Sequence, residues 1–396
     1  MLEEAAQRPR REVSVLGFLV FNAMLGFTYN GVLGPFLPAI AHTLRVPVVD
    51  AAWLAAATSL GWTVAAAKAP TFVGRFGTKS VILLGLAGMA VTMVLSSMLP
   101  SLSALMVDRF IGGLSGGLMG PAGNVYLIER VPTHERGRAF GWVSTGFALG
   151  GAVLVPILVL SSSWWGWQGS FVADGLLMAL ALGTAGFFLP QGTRPLRKAG
   201  EVEPLGWSDT PLTLLAANFA ERTGYAIMMT FWPALFILRY HAAVGLVAGI
   251  TGAMYLTGAL GSIAGGTLVG RRRAREKPLY LGGVGVGGLI LVLLFAVDAL
   301  PAWVYVLGGC AYAFTDMIAR PGYFQLVSSG SASYRRTMGW FAVSNQLGSV
   351  TGNLGMPILV AMSGYFSLGW AGLFLSSMAI GLVAASGRRR LGLGRS

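Results

Sequence analysis

From residue 13 to 44, and again from 337 to 387, the chain carries no Asp, Glu, Lys or Arg. A bilayer-spanning helix needs about 20 apolar residues. The first stretch therefore holds one span with length to spare, and the second holds two, joined by a turn at 363–368. With 55% hydrophobic and 11% charged residues and a mean hydropathy of +0.68, a soluble globule is excluded. Twelve apolar stretches follow one another, at 14–42, 51–73, 80–99, 102–129, 139–160, 168–189, 211–238, 243–269, 278–297, 301–327, 337–361 and 365–386. The expected fold class is an all-α membrane protein of twelve transmembrane helices.

The basic residues orient it. Lys and Arg number 22 in the N-tail, the even-numbered connections and the C-tail, against only Arg45 and Arg239 in the odd-numbered ones. Short loops rich in Lys and Arg stay on the cytoplasmic side, so both termini are predicted to be cytoplasmic, in a plasma membrane. The net charge of +13 is scattered over short loops rather than gathered in one patch, which argues against nucleic acid as a partner. Trp53, Trp164, Trp165, Trp167 and Trp303 fall at predicted outer span ends, where amphipathic rings sit at headgroup level. The single Cys310 allows no internal disulfide.

The connection 191–209 has the prolines, glycines and mixed charges of a linker. It divides the chain into an N-terminal six-helix bundle, 1–190, and a C-terminal one, 210–396, and the two halves resemble each other. Arg138-Ala-Phe-Gly141-Trp142 opens span five with Gly150 further on; 198 residues later Arg336-Thr-Met-Gly339-Trp340 opens span eleven with Gly348 at the same distance. Looser echoes pair Gly74-Arg75 with Gly270-Arg271, and Trp167 and Phe171 with Trp370 and Phe374. Pseudo-symmetric parallel halves of this kind belong to transporters that rock about a central site.

Three motifs in order carry a family resemblance. They are Gly74-Arg-Phe-Gly-Thr-Lys79 after span two, Asp108-Arg-Phe-Ile-Gly-Gly113 in span four, and Glu129-Arg-Val-Pro-Thr-His-Glu-Arg-Gly-Arg138 between spans four and five. Over essentially its whole length the chain resembles the major facilitator superfamily. The resemblance implies two bundles rocking around a cavity lined by spans one, four, seven and ten, with Arg109 facing it. Two departures stand out: Gly74 occupies the place of the family's acidic loop residue, and the span-five motif of drug antiporters is partial, its proline coming late at Pro156. Glu129 or Glu135 is expected to replace the missing acid by pairing with Arg75 or Lys79, with Arg138 as a further gating residue.

Charges inside the spans are the candidate site. An ionisable side chain at mid-bilayer costs about 2.5–3.5 kcal/mol on insertion scales, yet Lys68, Asp108, Arg109, Asp174, Glu221, Arg222, Asp316 and Arg320 all lie there. On span ten, Tyr312, Asp316 and Arg320 recur every four residues and form one stripe. Either it faces a cavity, or Asp316 and Arg320 form an internal ion pair that holds the helix. On span seven, Glu221, Tyr225, Met228 and Trp232 share a face with Arg222 at its flank. Burial raises a carboxyl's affinity for a proton and a neighbouring arginine lowers it, so Glu221 and Asp316 are alternative proton carriers. Asp108 is a third proton-coupling candidate; neighbours at i and i+1 do not face each other, so its partner is expected to be other than Arg109. Asp174 reads as a structural hydrogen-bonder and Lys68 as a snorkelling residue. Candidate substrate-binding residues are Asn30, Arg109, Arg222, Tyr225, Trp232, Tyr312 and Arg320. Gly112, Gly116 and Gly120 form a small-residue line suited to close helix packing.

There is no GxxxxGK[ST] loop for ATP, and His42, His134 and His241 fall at opposite membrane edges. No catalytic residue, metal or cofactor is expected. The expectation is a secondary transporter, monomeric in the lipid bilayer, exchanging protons for an amphipathic small organic solute. Proton-coupled movement of an organic anion or lipid is the alternative.

Overall fold

The computed structural model describes residues 2–51, 53–189, 212–242, 244–271, 276–298, 300–329 and 334–386. All regular structure within them is helical: α1 (Leu2–Gly31), α2 (Leu33–Leu44), α3 (Val48–Ala51), α4 (Trp53–Phe76), α5 (Thr78–Ser96), α6 (Leu102–Arg130), α7 (Arg136–Leu149), α8 (Val155–Phe188), α9 (Leu212–Tyr240), α10 (Val244–Arg271), α11 (Glu276–Ala296), α12 (Ala302–Ser329), α13 (Tyr334–Val350), α14 (Met356–Ser363) and α15 (Phe366–Ser386). Span one is α1 plus α2, broken at Val32 just before Pro35 and Pro38. The linker at 191–209 and the C-tail lie outside the described residues.

The chain separates into two compact units, 1–131 with 142–205, and 132–141 with 206–396. Among the described residues, seven stretches are long and apolar enough on their own to cross a membrane, one of them extending from Thr133 to Ala185. α4, α6 and α9 are not among them, and these are the helices that carry Lys68, Asp108, Arg109, Glu221 and Arg222. Asp108, Arg109, Glu221 and Arg222 are buried in the protein, which spares them the cost of facing lipid, whereas Lys68 is exposed.

Spans five and six are one helical run with a sharp corner at Gly166 (φ 67°, ψ −179°). Spans eleven and twelve turn at Gly364 with nearly the same backbone, φ 75° and ψ 176°. The two corners are 198 residues apart, the register of the basic motif. Each half also carries one wide helical turn, at Gly150–Leu154 and Thr351–Gly355, and each is followed at once by a proline, Pro156 or Pro357. Gly150 and Gly348 both press on a backbone carbonyl of their bundle's first helix, Met24 and Phe219 respectively.

The pairing of Trp167 and Phe171 with Trp370 and Phe374 is a false register. Trp167 and Phe171 are buried, whereas Trp370 and Phe374 are 56% and 68% exposed. Nor is Trp167 an interfacial anchor like the exposed Trp53, Trp164, Trp165 and Trp303; its indole N–H donates to Thr43 at 3.0 Å. The glycine line of α6 is a packing seam. Gly113 and Gly117 meet the carbonyls of Thr58 and Trp62 on α4, and Gly116 lies on the Trp62 ring. In the second unit Gly261 and Gly265 of α10 press on Phe314 and Ile318 carbonyls of α12 in the same way.

Candidate functional site

Four buried charges of the second unit form a single network across α9 and α12. The Arg222 guanidinium donates to both Glu221 oxygens and, at 2.8 and 2.7 Å, to both Asp316 oxygens. Arg320 donates to Glu221 at 3.0 Å, to Asn218 Oδ1 at 2.8 Å and to Asn345 Oδ1 at 3.1 Å. Asn218 in turn donates to Ser344 at 2.7 Å and to the Phe341 carbonyl, which ties α13 into the cluster. No charged member is more than 8% exposed.

This pairing resolves the two readings of span ten. Asp316 and Arg320 sit one helical turn apart, but each is bonded to span seven: Asp316 to Arg222, and Arg320 to Glu221. The charges therefore lock two helices together instead of stiffening one. Glu221 and Arg222 do bond each other although they are sequence neighbours. The rule that i and i+1 diverge holds for Cβ directions; a long guanidinium curls back across the gap.

Aromatic rings border the network. Arg222 lies 4.3 Å from the Tyr225 ring centroid and Arg320 5.4 Å from that of Phe341, geometries that favour a cation over a π face. Tyr225 and Asn345 are only half-buried. Tyr312 is buried beside Gly224 and Gly287. Trp232 stands apart. It is fully buried, stacked on Phe236 and Tyr305, with its indole N–H spent on the Tyr305 carbonyl at 3.2 Å. The helical face that links it to Glu221 ends in an apolar core.

In the first unit, Arg109 of α6 is fully buried. It donates to the Tyr29 carbonyl at 3.1 Å and to Met93 Sδ at 3.6 Å, and lies 5.0 Å from the Tyr29 ring centroid and 4.6 Å from that of Phe171. Among the described residues no carboxylate bonds it. Asp108 accepts instead from Ser96 of α5 at 2.5 Å, and Asp174 lies against Thr28 of α1 at 2.9 Å. The Tyr29 hydroxyl meets Thr92 at 3.0 Å, Asn30 is half-buried, and Lys68 is exposed.

The candidate gating residues are partnered differently from the expectation. Thr78, rather than its neighbour Lys79, donates to Glu129 at 2.8 Å; Lys79 reaches the Leu189 carbonyl at 2.5 Å. Arg75 lies 5.4 Å from the Phe76 ring centroid. Glu135 is 3.6 Å from His134, and the Arg138 side chain lies beside Gly270. The charged tips of the loop reach local partners because Thr78 and the Leu189 carbonyl are nearer than a second loop.

Buried, mutually paired charges on helices that otherwise read as membrane spans define an integral membrane protein of the transporter class. The Major Facilitator Superfamily model matches residues 18–353, and the chain belongs to that family, whose members are small-molecule transporters rather than enzymes. It is 29% identical over 144 residues to the quinolone resistance protein NorA of Staphylococcus aureus, a match covering 35% of this chain and only 36% of NorA. Its fold superposes on the proton:xylose symporter XylE with a TM-score of 0.80 at 15% identity, covering 94% of both chains. Against the human organic anion transporter MFSD10 the TM-score is 0.75 at 18% identity, covering 94% of this chain and 99% of the other.

Proposed function

We propose that this transporter exports an amphipathic small organic solute in exchange for protons, as a monomer in the plasma membrane with both termini cytoplasmic. Its N-terminal bundle 1–190 and C-terminal bundle 210–396, joined by the 191–209 linker, rock to open the cavity alternately to each side of the membrane. The observation that carries this reading is the shared arginine: Arg222 holds Glu221 and Asp316 at once. A proton arriving at either carboxyl displaces Arg222 from it, and a cationic or aromatic solute arriving at Tyr225 competes with the proton for that same carboxyl. Proton and solute thus exclude each other at one site, which is the requirement for antiport. The gradient supplies about 1.4 kcal/mol per pH unit and about 2.3 kcal/mol per charge per 100 mV. The likeness to a quinolone resistance protein supports an organic solute and outward direction.

The test is purified protein in liposomes, with an imposed pH step and a chemically broad panel of solutes. Glu221→Gln and Asp316→Asn are expected to cut gradient-driven flux at least tenfold while solute exchange without a gradient persists. Unchanged gradient-driven flux in both variants sinks the reading.

A second reading, proton-coupled movement of an organic anion or lipid, is favoured by Arg109, which has no bonded carboxylate among the described residues. Loss of anion uptake in Arg320→Ala and Arg109→Ala, with cation efflux intact, selects it.

A further inference from the structure

The proton chemistry of Asp174 is written in the partners of Thr28. The Thr28 hydroxyl oxygen lies 3.0 Å from the Leu25 carbonyl and 2.9 Å from Asp174 Oδ1. A hydroxyl owns one proton and can accept others, while the Leu25 carbonyl can only accept. If Asp174 is ionised, the single Thr28 proton turns to it and the Leu25 carbonyl keeps only the backbone bond of its own helix. If Asp174 is protonated, it donates to Thr28 while Thr28 donates to Leu25, and both contacts are hydrogen bonds.

The rest of the pocket has what the ionised form needs. Asp174 is fully buried and its Oδ2 has no partner. Arg109, also fully buried, has an Nε without a partner and lies over the ring of Phe171, one helical turn before Asp174 on α8. The other titratable groups around the Arg109 guanidinium are Asp108, already held by Ser96, and Tyr29, held by Thr92. Two buried groups of opposite charge thus sit in one bundle, each with an unused polar atom.

We infer that Asp174 is a second proton-binding carboxyl, separate from the Glu221–Asp316 network, which when protonated bonds Thr28 and when ionised turns to Arg109. Proton binding then decides whether Arg109 is engaged inside its own bundle or released from it. This holds whatever solute the protein carries, so it stands apart from the export reading.

Difference infrared spectroscopy of the full chain in nanodiscs, acid minus alkaline, reads the site without any solute. A protonated-carboxyl band is expected that disappears in Asp174→Asn and survives in Glu221→Gln and Asp316→Asn. In Arg109→Gln the same band is expected to persist to higher pH, because the cation that favours the carboxylate is gone. Band intensity identical in Asp174→Asn and the parent protein overturns the inference. Should Asp174→Asn fail to fold, Arg109→Gln and Thr28→Val decide: a midpoint moved in both supports the site, and an unmoved one in both overturns it.

Discussion

Arg109 and Arg222 are both arginines buried inside helical bundles, and they are satisfied in opposite ways. Arg222 is enclosed by carboxylates: its guanidinium bonds Glu221 and Asp316, and Arg320 bonds Glu221 from the other side. Arg109 has a backbone carbonyl, a thioether and two aromatic faces. The first arrangement is neutral and mutually dependent, so a change to any member leaves a charge stranded. The second leaves the cation uncommitted, with its charge spread over rings and available to an anion that arrives. One bundle therefore stores its charges in a closed circuit, while the other keeps one open.

The sharpest way to break the comparison is to remove each arginine in turn, starting with the closed circuit. Arg222→Met leaves Asp316 without its bonded cation, while Glu221 keeps Arg320. Removing one partner of a buried ion pair costs about 3–5 kcal/mol, chiefly because the charge left behind is uncompensated. Chemical unfolding in micelles should show a loss of that size, largely restored when Asp316→Asn is added, because the Glu221–Arg320 pair then stays intact and neutral. Stability unchanged by Arg222→Met alone means the circuit does not hold α9 to α12.

A middle-sized effect tests whether the two halves are alike where they should be. Gly166 and Gly364 both sit at positive φ with ψ near 180°, a region essentially reserved for glycine and costing other residues about 1–3 kcal/mol. A Cβ at either corner meets no backbone atom; the nearest atoms belong to the Gln168 and Phe366 side chains, at 3.0 and 3.8 Å. Gly166→Ala and Gly364→Ala should therefore lower stability by similar amounts, set by conformation rather than by crowding. A large loss at one and none at the other would show that the corners only look equivalent.

Those corners also show what the sequence revealed and what it hid. The 198-residue register, the twelve spans and the buried charges were legible because each is a local property: a run of apolar residues, a repeated motif, an ion where none is cheap. Who bonds whom was not. Asp316 and Arg320 look like a pair at helical spacing, and only the packing of α9 against α12 shows that each reaches across to span seven. Glu129 was matched to Arg75 or Lys79 of a distant loop, and the residue that donates to it there is Thr78, with no charge to advertise it. Trp232 shares a helical stripe with Glu221, yet three turns separate them and the aromatic core claims the indole. The role of Thr28 had no sequence signal at all, since a threonine in a helix ordinarily bonds its own backbone, and here the same oxygen also touches Asp174.

The smallest effect belongs to the open circuit, and it is the one that most sharpens the contrast. Arg109→Met keeps the length of the side chain among Tyr29, Met93 and Phe171 and removes a hydrogen bond to a carbonyl, worth about 0.5–1.5 kcal/mol net. No bonded carboxylate is stranded, so the loss should be about 1 kcal/mol in mildly acidic solution, well short of that for Arg222→Met. Its pH dependence follows from Asp174. While Asp174 is protonated the substitution touches only the carbonyl bond. As pH rises and the carboxyl ionises, the parent protein gains an ion pair that the variant cannot form, and the gap between them should widen. Unfolding titrations of the two proteins across a pH series read this directly. A gap as large in acid as Arg222→Met produces would mean that Arg109 already balances a carboxylate there, and the two bundles would store charge in the same way after all.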